Sequence, residues 1–305
     1  MIGRMIIDGL AFALPLFVMA IGGIYSERSG VTNLALEGFQ GVGAFVGALA
    51  AILLTQVLGV DSQIPYYAAF LFAMIGGMVY ATVHAVLCIT LKANQVISGV
   101  VINILAIALT AFLTKMVNQT VFGVPSDKFV LGVSPKWMGF YPFEIIIVAV
   151  AIISWYVLYK TQYGLHLRAC GDNPHAVDAA GIDVGKVRFG AVMISGALSG
   201  LAGICFAYSI SANFSGSIYA GYGYLSIAAL IFGNWKIVPT LAACLLFGFA
   251  RSGGYQIVQV AEMPSSYSDL VMILPYVLTL LLLVFFSTHN NAPRALGEIY
   301  DKGKR

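Results

Sequence analysis

The sequence predicts an all-α fold, a polytopic bundle of about 8–10 transmembrane helices, some of them discontinuous. Hydrophobic residues make up 60% of the 305 residues and charged residues only 10%, with a mean hydropathy of +0.90. Soluble domains carry about 25% charged residues, so this chain has too few charges to cover a water-facing surface. Segments 145–158 and 270–286 are apolar on every side, whereas strands of a barrel would alternate. We expect one transmembrane domain over residues 1–305.

Nine apolar segments follow one another along the chain. Most approach the ~20 residues that cross the hydrocarbon core as a helix, but the seventh is too short to span comfortably. We expect the first span to be retained, because Asp8 interrupts its start and no clear cleavage site precedes Tyr25. The segments cover approximately residues 6–24, 38–55, 66–91, 96–117, 142–159, 188–210, 221–234, 237–253 and 269–287.

Basic residues predict the orientation, because cytoplasmic loops retain Lys and Arg. The loop from Lys160 to Val187 and the tail at about residues 288–305 both carry basic clusters, so both are predicted to face the cytoplasm. The N-terminus then lies outside if all nine segments cross. The bases placed outside or near the outer interface are Arg4, Lys115, Lys128, Lys136 and Arg251. The net charge of +3 arises from these loops and gives no reason to expect a nucleic-acid partner.

Small residues are dense within the apolar segments. Gly43 and Gly47 form one GxxxG pattern, and Gly196 and Gly200 form another. Such faces let helices approach closely in lipid, either within one chain or between subunits. They predict a tightly packed bundle without identifying a partner.

Two stretches interrupt the apolar pattern at roughly corresponding places in the two halves. One runs from Gly22 to Gly38, and the other from Asn213 through Gly221 to Asn234. Paired interruptions of this kind are typical of discontinuous helices that line a central pathway, because irregular backbone at membrane depth must face protein or water. The alternative is that both stretches are ordinary interfacial loops.

The chain lacks the motifs of a self-sufficient pump or an enzyme. No G-x-x-x-x-G-K-[ST] motif is present to bind ATP, and the acidic residues cluster at segment ends or in loops. Ion-coupled transport is therefore disfavoured, although Glu37 or buried backbone could hold an ion. The four histidines and four cysteines show no nucleophilic, disulfide or metal spacing. We expect no catalytic residue, no metal and no cofactor.

The predicted cytoplasmic loop contains a short helix at about residues 173–181. Asn173 is a good N-cap, Pro174 suits the first helical position, and Gly181 can adopt the left-handed conformation that ends a helix. We expect its apolar side to dock into a groove on a cytoplasmic partner, although it could instead lie on the membrane surface. The residues of that side are Ala176, Val177, Ala179 and Ala180.

Three motifs resemble one family of bacterial membrane proteins. Gly171-Asp-Asn-Pro-His-Ala-Val-Asp-Ala-Ala-Gly181 resembles the coupling-helix segment of ABC importer permeases of the branched-chain amino acid, ribose and nucleoside group. Glu27-Arg-Ser-Gly-Val-Thr-Asn-Leu-Ala-Leu-Glu-Gly38 and Leu230-Ile-Phe-Gly-Asn-Trp235 are similar to signatures of its nucleoside and simple-sugar branch. The ribose-type Asp-Leu-Ser sequence is absent, which weakens the sugar interpretation.

This resemblance implies a multi-pass permease subunit of a bacterial cell membrane. It implies a second, related permease as partner, cytoplasmic ATPases, an extracellular substrate-binding lipoprotein and a small-molecule cargo, for which purine nucleosides are our first choice. A simple-sugar or branched-chain amino acid permease would have the same architecture, and an ion-coupled secondary transporter is the alternative from another class. The residues expected to couple to the ATPase are Asp172, Asn173, Pro174, His175, Ala176, Val177, Ala180 and Gly181.

Candidate residues of the substrate pathway are polar or aromatic groups in or beside apolar segments. Such groups can hydrogen-bond a ribose or stack on a base. Tyrosines also form interfacial belts, and asparagines also bond neighbouring helices. The candidates are Asn33, Glu37, Asn103, Asn213, Tyr222 and Tyr224.

Overall fold

The computed structural model describes residues 2–132, 134–135, 140–216, 221–264, 266–286 and 291–302. The predicted outer base Lys136 and both ends of the predicted tail lie outside these residues. The helices in chain order are α1 (Ile2–Arg28), α2 (Leu36–Leu58), α3 (Ile64–Ala85), α4 (Gln95–Thr120), α5 (Pro142–Lys160), α6 (Gln162–Asp172), α7 (Pro174–Ala179), α8 (Val184–Phe206), α9 (Tyr222–Phe232), α10 (Ile237–Val260) and α11 (Ser266–Phe286).

The described residues also include two π-helical turns and two short β-strands. Single π-helical turns, Val86–Thr90 and Ala207–Ser211, extend α3 and α8. Two strands, β1 (Phe129–Val130) and β2 (Asn213–Phe214), pair antiparallel with Phe129 opposite Phe214.

Each of the nine predicted segments corresponds to a helix, which confirms the polytopic helical fold. Seven helices in the described part of the chain are long and apolar enough to cross a membrane. The seventh predicted segment is α9, whose 11 residues are too few to span alone, as expected. The sequence did not predict α6, which occupies the first part of the cytoplasmic loop.

The first predicted interruption is shorter than expected. Gly22 and Gly23 lie inside α1, which continues to Arg28, so the irregular stretch is confined to residues 29–35. A Cβ atom on Gly22 would lie 2.9 Å from the carbonyl oxygen of Ser195 on α8. These glycines therefore permit close helix packing and do not break the helix.

The GxxxG faces pack α2, α3 and α8 against one another within this chain. A Cβ atom on Gly43 would overlap the Cα atom of Gly200, and one on Gly196 would overlap the carbonyl of Gly77. Backbones this close gain dispersion contacts, which are a main source of helix association in lipid. The small residues thus build the centre of the bundle.

Contacts at the ends of the helices show which loops share a face. The tail meets the loop 161–183 through a hydrogen bond from Ala295 N to Gly171 O (2.8 Å) and an ion pair between Lys302 and Asp178 (3.5 Å). Lys92, which follows α3, pairs with Asp301 at 2.9 Å. The predicted cytoplasmic loop and tail therefore lie on one face, here called the inner face.

We expect thiol labelling to place this face in the cytoplasm. Cysteines introduced by Asp183→Cys and Lys302→Cys should resist an impermeant thiol reagent added to intact cells, because the basic inner face is retained inside. The native cysteines are buried, and burial raises the pKa of Cys170 to about 11, so they should react slowly. Asp61→Cys, in the exposed loop at the opposite end, is the control that should label. Ready labelling at position 183 or 302 would show that this face lies outside the cell, which is the opposite of the predicted orientation.

Candidate functional site

Residues 29–35 connect α1 to α2 as irregular backbone inside the bundle. Gln95 Oε1 accepts a hydrogen bond from Thr32 N at 2.6 Å, and Asn103 Nδ2 donates to Leu34 O at 2.7 Å. Arg188 Nε donates to Ser29 O at 3.0 Å. Side chains from α4 and α8 thereby satisfy backbone groups that lipid could not. We call residues 29–35 the interrupted segment.

Asn33 and Asn103, two predicted pathway residues, have protein partners in this arrangement. Asn33 Nδ2 donates to Ser195 Oγ at 2.9 Å, and its Oδ1 accepts from Ala35 N at 3.0 Å. Asn103 Oδ1 accepts from Gly38 N at 2.7 Å. Both side chains are buried. In the structure they fix the backbone on either side of the start of α2.

The start of α9 contacts the start of α2. Gly221 precedes α9 with φ +94°, a conformation that favours glycine, and its N–H donates to Glu37 Oε2 at 2.9 Å. A Cβ atom on Gly223 would lie 2.5 Å from Glu37 Cβ, so the two backbones approach closely. The carboxylate also lies where the partial positive charge of the α9 N-terminus favours an anion. The two interruptions predicted from the sequence therefore meet.

Aromatic side chains surround this meeting point. The Tyr222 ring lies 5.2 Å from that of Phe12 and 5.0 Å from that of Phe206, measured between centroids. Tyr224 is 45% exposed, and its hydroxyl lies 3.3 Å from Asn103 Nδ2. Glu37, Asn103, Tyr222 and Tyr224 thus come together, with Tyr224 presenting a large accessible surface.

Asn213 does not join this group. It lies in β2, where it pairs with Val130 of β1, in the loop between α4 and α5. This candidate therefore lies in a different element from Glu37, Asn103, Tyr222 and Tyr224, the four that come together.

A polar cleft of about 310 Å³ lies between α1, the end of α8 and α10, and the sequence analysis missed it. Arg251 lies over the ring of Phe12 at 4.4 Å and over that of Tyr255 at 5.2 Å, and its Nη2 is 3.5 Å from the Tyr222 hydroxyl. The cleft, here called the outer cleft, is lined by Asp8, Ala11, Phe12, Ser209, Ile210, Arg251, Ser252, Tyr255, Gln256 and Gln259.

The sequence did contain a signal for the outer cleft. Arg251, Tyr255 and Gln259 recur every four residues, which places them on one face of α10. That helix is also the least apolar of the seven candidate spans. Counting Arg251 only as an outer base concealed the pattern.

The short inner helix α7 forms as predicted, but it is oriented differently from our expectation. Asn173 Oδ1 accepts from Ala176 N at 3.1 Å, and Gly181 has φ +82°. Pro174 and Val177 are buried, which corrects the prediction that Val177 belongs to the outward apolar surface. Positions three apart share a helix face, and α7 uses that face to attach to the bundle. The coupling candidates that remain exposed are Asp172, Asn173, His175, Ala176, Ala180 and Gly181.

Residues 291–302 of the tail connect α7 to the interrupted segment. The His175 and Tyr300 rings lie 5.3 Å apart, and Gly297 N donates to Gly30 O at 3.1 Å. Arg188 Nη1 donates to Glu298 O at 3.0 Å while its Nε holds the interrupted segment. At the start of α8, a hydrogen bond from Lys186 N lowers the pKa of the Asp183 carboxyl. A short chain of contacts therefore runs from α7 through the tail and Arg188 to residues 29–35.

No metal centre is evident in the described residues. They contain no group of three or more His, Cys, Asp or Glu side chains that could hold a metal ion.

Comparison with known proteins identifies one family. A family model described as "Branched-chain amino acid transport system / permease component" matches residues 5–283. The chain is 38% identical to the guanosine ABC transporter permease protein NupQ of Bacillus subtilis and 37% identical to the nucleoside ABC transporter permease protein NupC of Lactococcus lactis, each over 97% of this chain and 96% of the relative.

A third relative matches over a shorter region. It is the putative glucose ABC transporter permease protein TsgC13 of Haloferax volcanii, 34% identical over 77% of this chain and 72% of the relative. No solved structure matches the chain.

We expect Asn103→Leu to destabilise the protein. The substitution leaves Gly38 N–H and Leu34 C=O without their side-chain partner, and each unpaired buried group costs about 1–3 kcal/mol. The melting temperature of the purified Asn103→Leu variant should be lower than that of the wild type. The control Val101→Leu, on an exposed face of the same helix, should have the wild-type melting temperature. Equal melting temperatures for the Asn103 variant and the wild type would show that Asn103 does not hold the interrupted segment.

Proposed function

Because the chain belongs to the permease family of branched-chain amino acid transport systems, we propose that it is the permease subunit of an ATP-driven importer of purine nucleosides. It is a multi-pass membrane protein with at least seven helices suited to span the bilayer within the described residues. Membership of this family implies ATPase and binding-protein partners.

The observation that supports a nucleoside cargo is similarity over nearly the whole length of the chain. Two relatives named for guanosine or nucleoside transport match 97% of the chain at 38% and 37% identity, whereas TsgC13, which is named for glucose, matches 77% at 34% identity. The absence of the ribose-type Asp-Leu-Ser sequence points the same way.

The pathway in this proposal passes the start of α9. Glu37 and Tyr224 are accessible there, and Tyr222 lies beside them. A carboxylate can accept hydrogen bonds from ribose hydroxyls, and tyrosine rings can stack on a base. Asn33 and Asn103 support this site by fixing the adjoining backbone, and Asn213 would lie at the outer entrance.

A second, related permease subunit would complete the pathway. Tyr224 is 45% exposed, and a Cβ atom on Gly41 of α2 would have no neighbour within 4 Å. Polar groups on the outside of a bundle are unfavourable against lipid, so this open side is best covered by protein or water. A second permease packed there would enclose a shared cavity, into which the extracellular lipoprotein would deliver the nucleoside.

Coupling to the cytoplasmic ATPase would occur through α7. Its exposed side carries His175, Ala176 and Ala180, whereas Pro174 and Val177 attach it to the bundle. Closure of the ATPase pair would move α7, and the tail and Arg188 would carry that motion to the interrupted segment. ATP is hydrolysed on the partner, and no covalent chemistry takes place in this chain.

Competition for uptake tests the cargo. Excess inosine or guanosine should inhibit uptake of a labelled purine nucleoside, because these ligands share the base and ribose that the pathway contacts. Ribose and leucine at the same concentration should not inhibit. Inhibition by ribose alone would favour assignment to the sugar branch. Uptake that continues without ATP but stops when the ion gradient is removed would favour a secondary transporter.

We expect Ala176→Asp to uncouple transport from ATP hydrolysis. The exposed Ala176 would become a charge buried unpaired in the docking groove, which is strongly unfavourable. Reconstituted complexes should contain normal amounts of permease, weakly associated ATPase and little transport activity.

The control for this experiment is Gln162→Glu, which adds a negative charge at an exposed position of α6, on the inner face but outside α7 and the tail. It should transport like the wild type. Wild-type transport by the Ala176 variant would remove α7 from the mechanism, and failure of that variant to accumulate would show that α7 serves the fold.

A further inference from the structure

We propose that Arg251 in the outer cleft selects nucleosides of 6-oxopurines over those of 6-aminopurines. This inference rests on the proposed nucleoside transport and assigns the step at which the base is recognised. It is carried by the chemistry of the outer cleft.

Polar side chains in the outer cleft indicate a route for a hydrophilic ligand. Asp8 belongs to α1, and Arg251, Gln256 and Gln259 belong to α10, two helices otherwise apolar enough to span the bilayer. Charged groups in such helices normally face water or a functional partner because their exposure to lipid is costly. The volume of about 310 Å³ lies at the lower end of the ~300–1,000 Å³ of small-molecule sites.

Arg251 retains hydrogen-bonding capacity toward the outer cleft. Within the described residues, the ion pairs closer than 4.0 Å involve other side chains, so no described carboxylate neutralises this guanidinium. Its guanidinium carbon lies over the rings of Phe12 and Tyr255, and its approach to the Tyr222 hydroxyl, at 3.5 Å, is longer than a strong hydrogen bond. A guanidinium carries several N–H donors, and one long contact to a hydroxyl leaves most of them for a ligand.

The charges of the outer cleft favour a neutral ligand over an anion. Asp8 and Arg251 together contribute no net charge, and a phosphate would meet the Asp8 carboxylate. A carboxylate is a suitable acceptor for ribose hydroxyls, as in dinucleotide sites. A nucleoside offers hydroxyl donors at one end and base acceptors at the other, which matches both charged groups.

The base itself provides the discrimination. A guanidinium can only donate hydrogen bonds, and a 6-oxopurine presents two adjacent acceptors, O6 and N7, to which arginine binds in bidentate fashion. A 6-aminopurine replaces O6 with an amino donor, so that one arginine donor would be left facing another donor. The outer cleft should therefore prefer inosine and guanosine to adenosine.

Arg251→Lys tests this inference, because lysine keeps the charge but loses the planar pair of donors. Uptake of labelled guanosine should be measured in complexes reconstituted with the same saturating lipoprotein, with inosine or adenosine as competitor. Relative to the wild type, the variant's preference for inosine over adenosine should fall about tenfold, within the range of a lost bidentate contact. Arg4→Lys, at an exposed position outside the outer cleft, should leave the preference unchanged.

A second measurement uses the wild-type complex without lipoprotein. Inosine should raise its melting temperature more than purine riboside, which lacks the 6-oxygen. Equal shifts, or an unchanged preference in Arg251→Lys, would overturn the role of Arg251. Failure of the wild type to transport any nucleoside would instead contradict the proposed function itself.

Discussion

Irregular backbone inside a membrane bundle is stable only when its N–H and C=O groups form hydrogen bonds with protein groups. Residues 29–35 are such a backbone segment in this protein. Buried polar side chains of α4 and α8 meet this requirement: Gln95, Asn103 and Arg188 each bond a backbone group of the segment or the start of α2. His84 on α3 lies 3.4 Å from Thr32 O. Removing one partner would leave an unpaired group where water is scarce. The start of α2, and with it Glu37, depends on this network.

The same network connects the inner face to the proposed pathway. Arg188 bonds both the tail at Glu298 and the interrupted segment at Ser29. Trp235, which follows α9, donates its indole N–H to Glu27 and accepts from Arg28 through its carbonyl. The end of α1 therefore contacts the end of α9 directly, through Trp235 on the inner face. It is connected to the start of α9 indirectly, through the interrupted segment and the hydrogen bond between Glu37 and Gly221. In the proposed mechanism, these contacts would carry a shift of α7 to this junction.

Hydropathy and glycine patterning predicted much of the fold, because lipid imposes long apolar helices and close packing. The positions of the nine segments and the cap at Asn173 follow from local rules, whereas the packing of Gly43 against α8 does not, because the spacing of small residues does not identify the facing helix. Local rules could not show that Val177 faces inward, since that depends on which side of α7 the bundle covers. The outer cleft around Arg251 was missed for a related reason, because charge counting ignores the helical face that a base occupies.

The central claim is that the start of α9 lines a water-filled pathway for nucleosides. Tyr224→Cys tests it in the assembled transporter, with Ile152→Cys on an apolar, exposed face of α5 as control. We expect a water-soluble thiol reagent to modify position 224 but not 152, and saturating inosine to slow the modification while ribose does not. The account would be contradicted if position 224 were not modified. It would also be contradicted if inosine did not slow the modification in a transporter that takes up nucleosides.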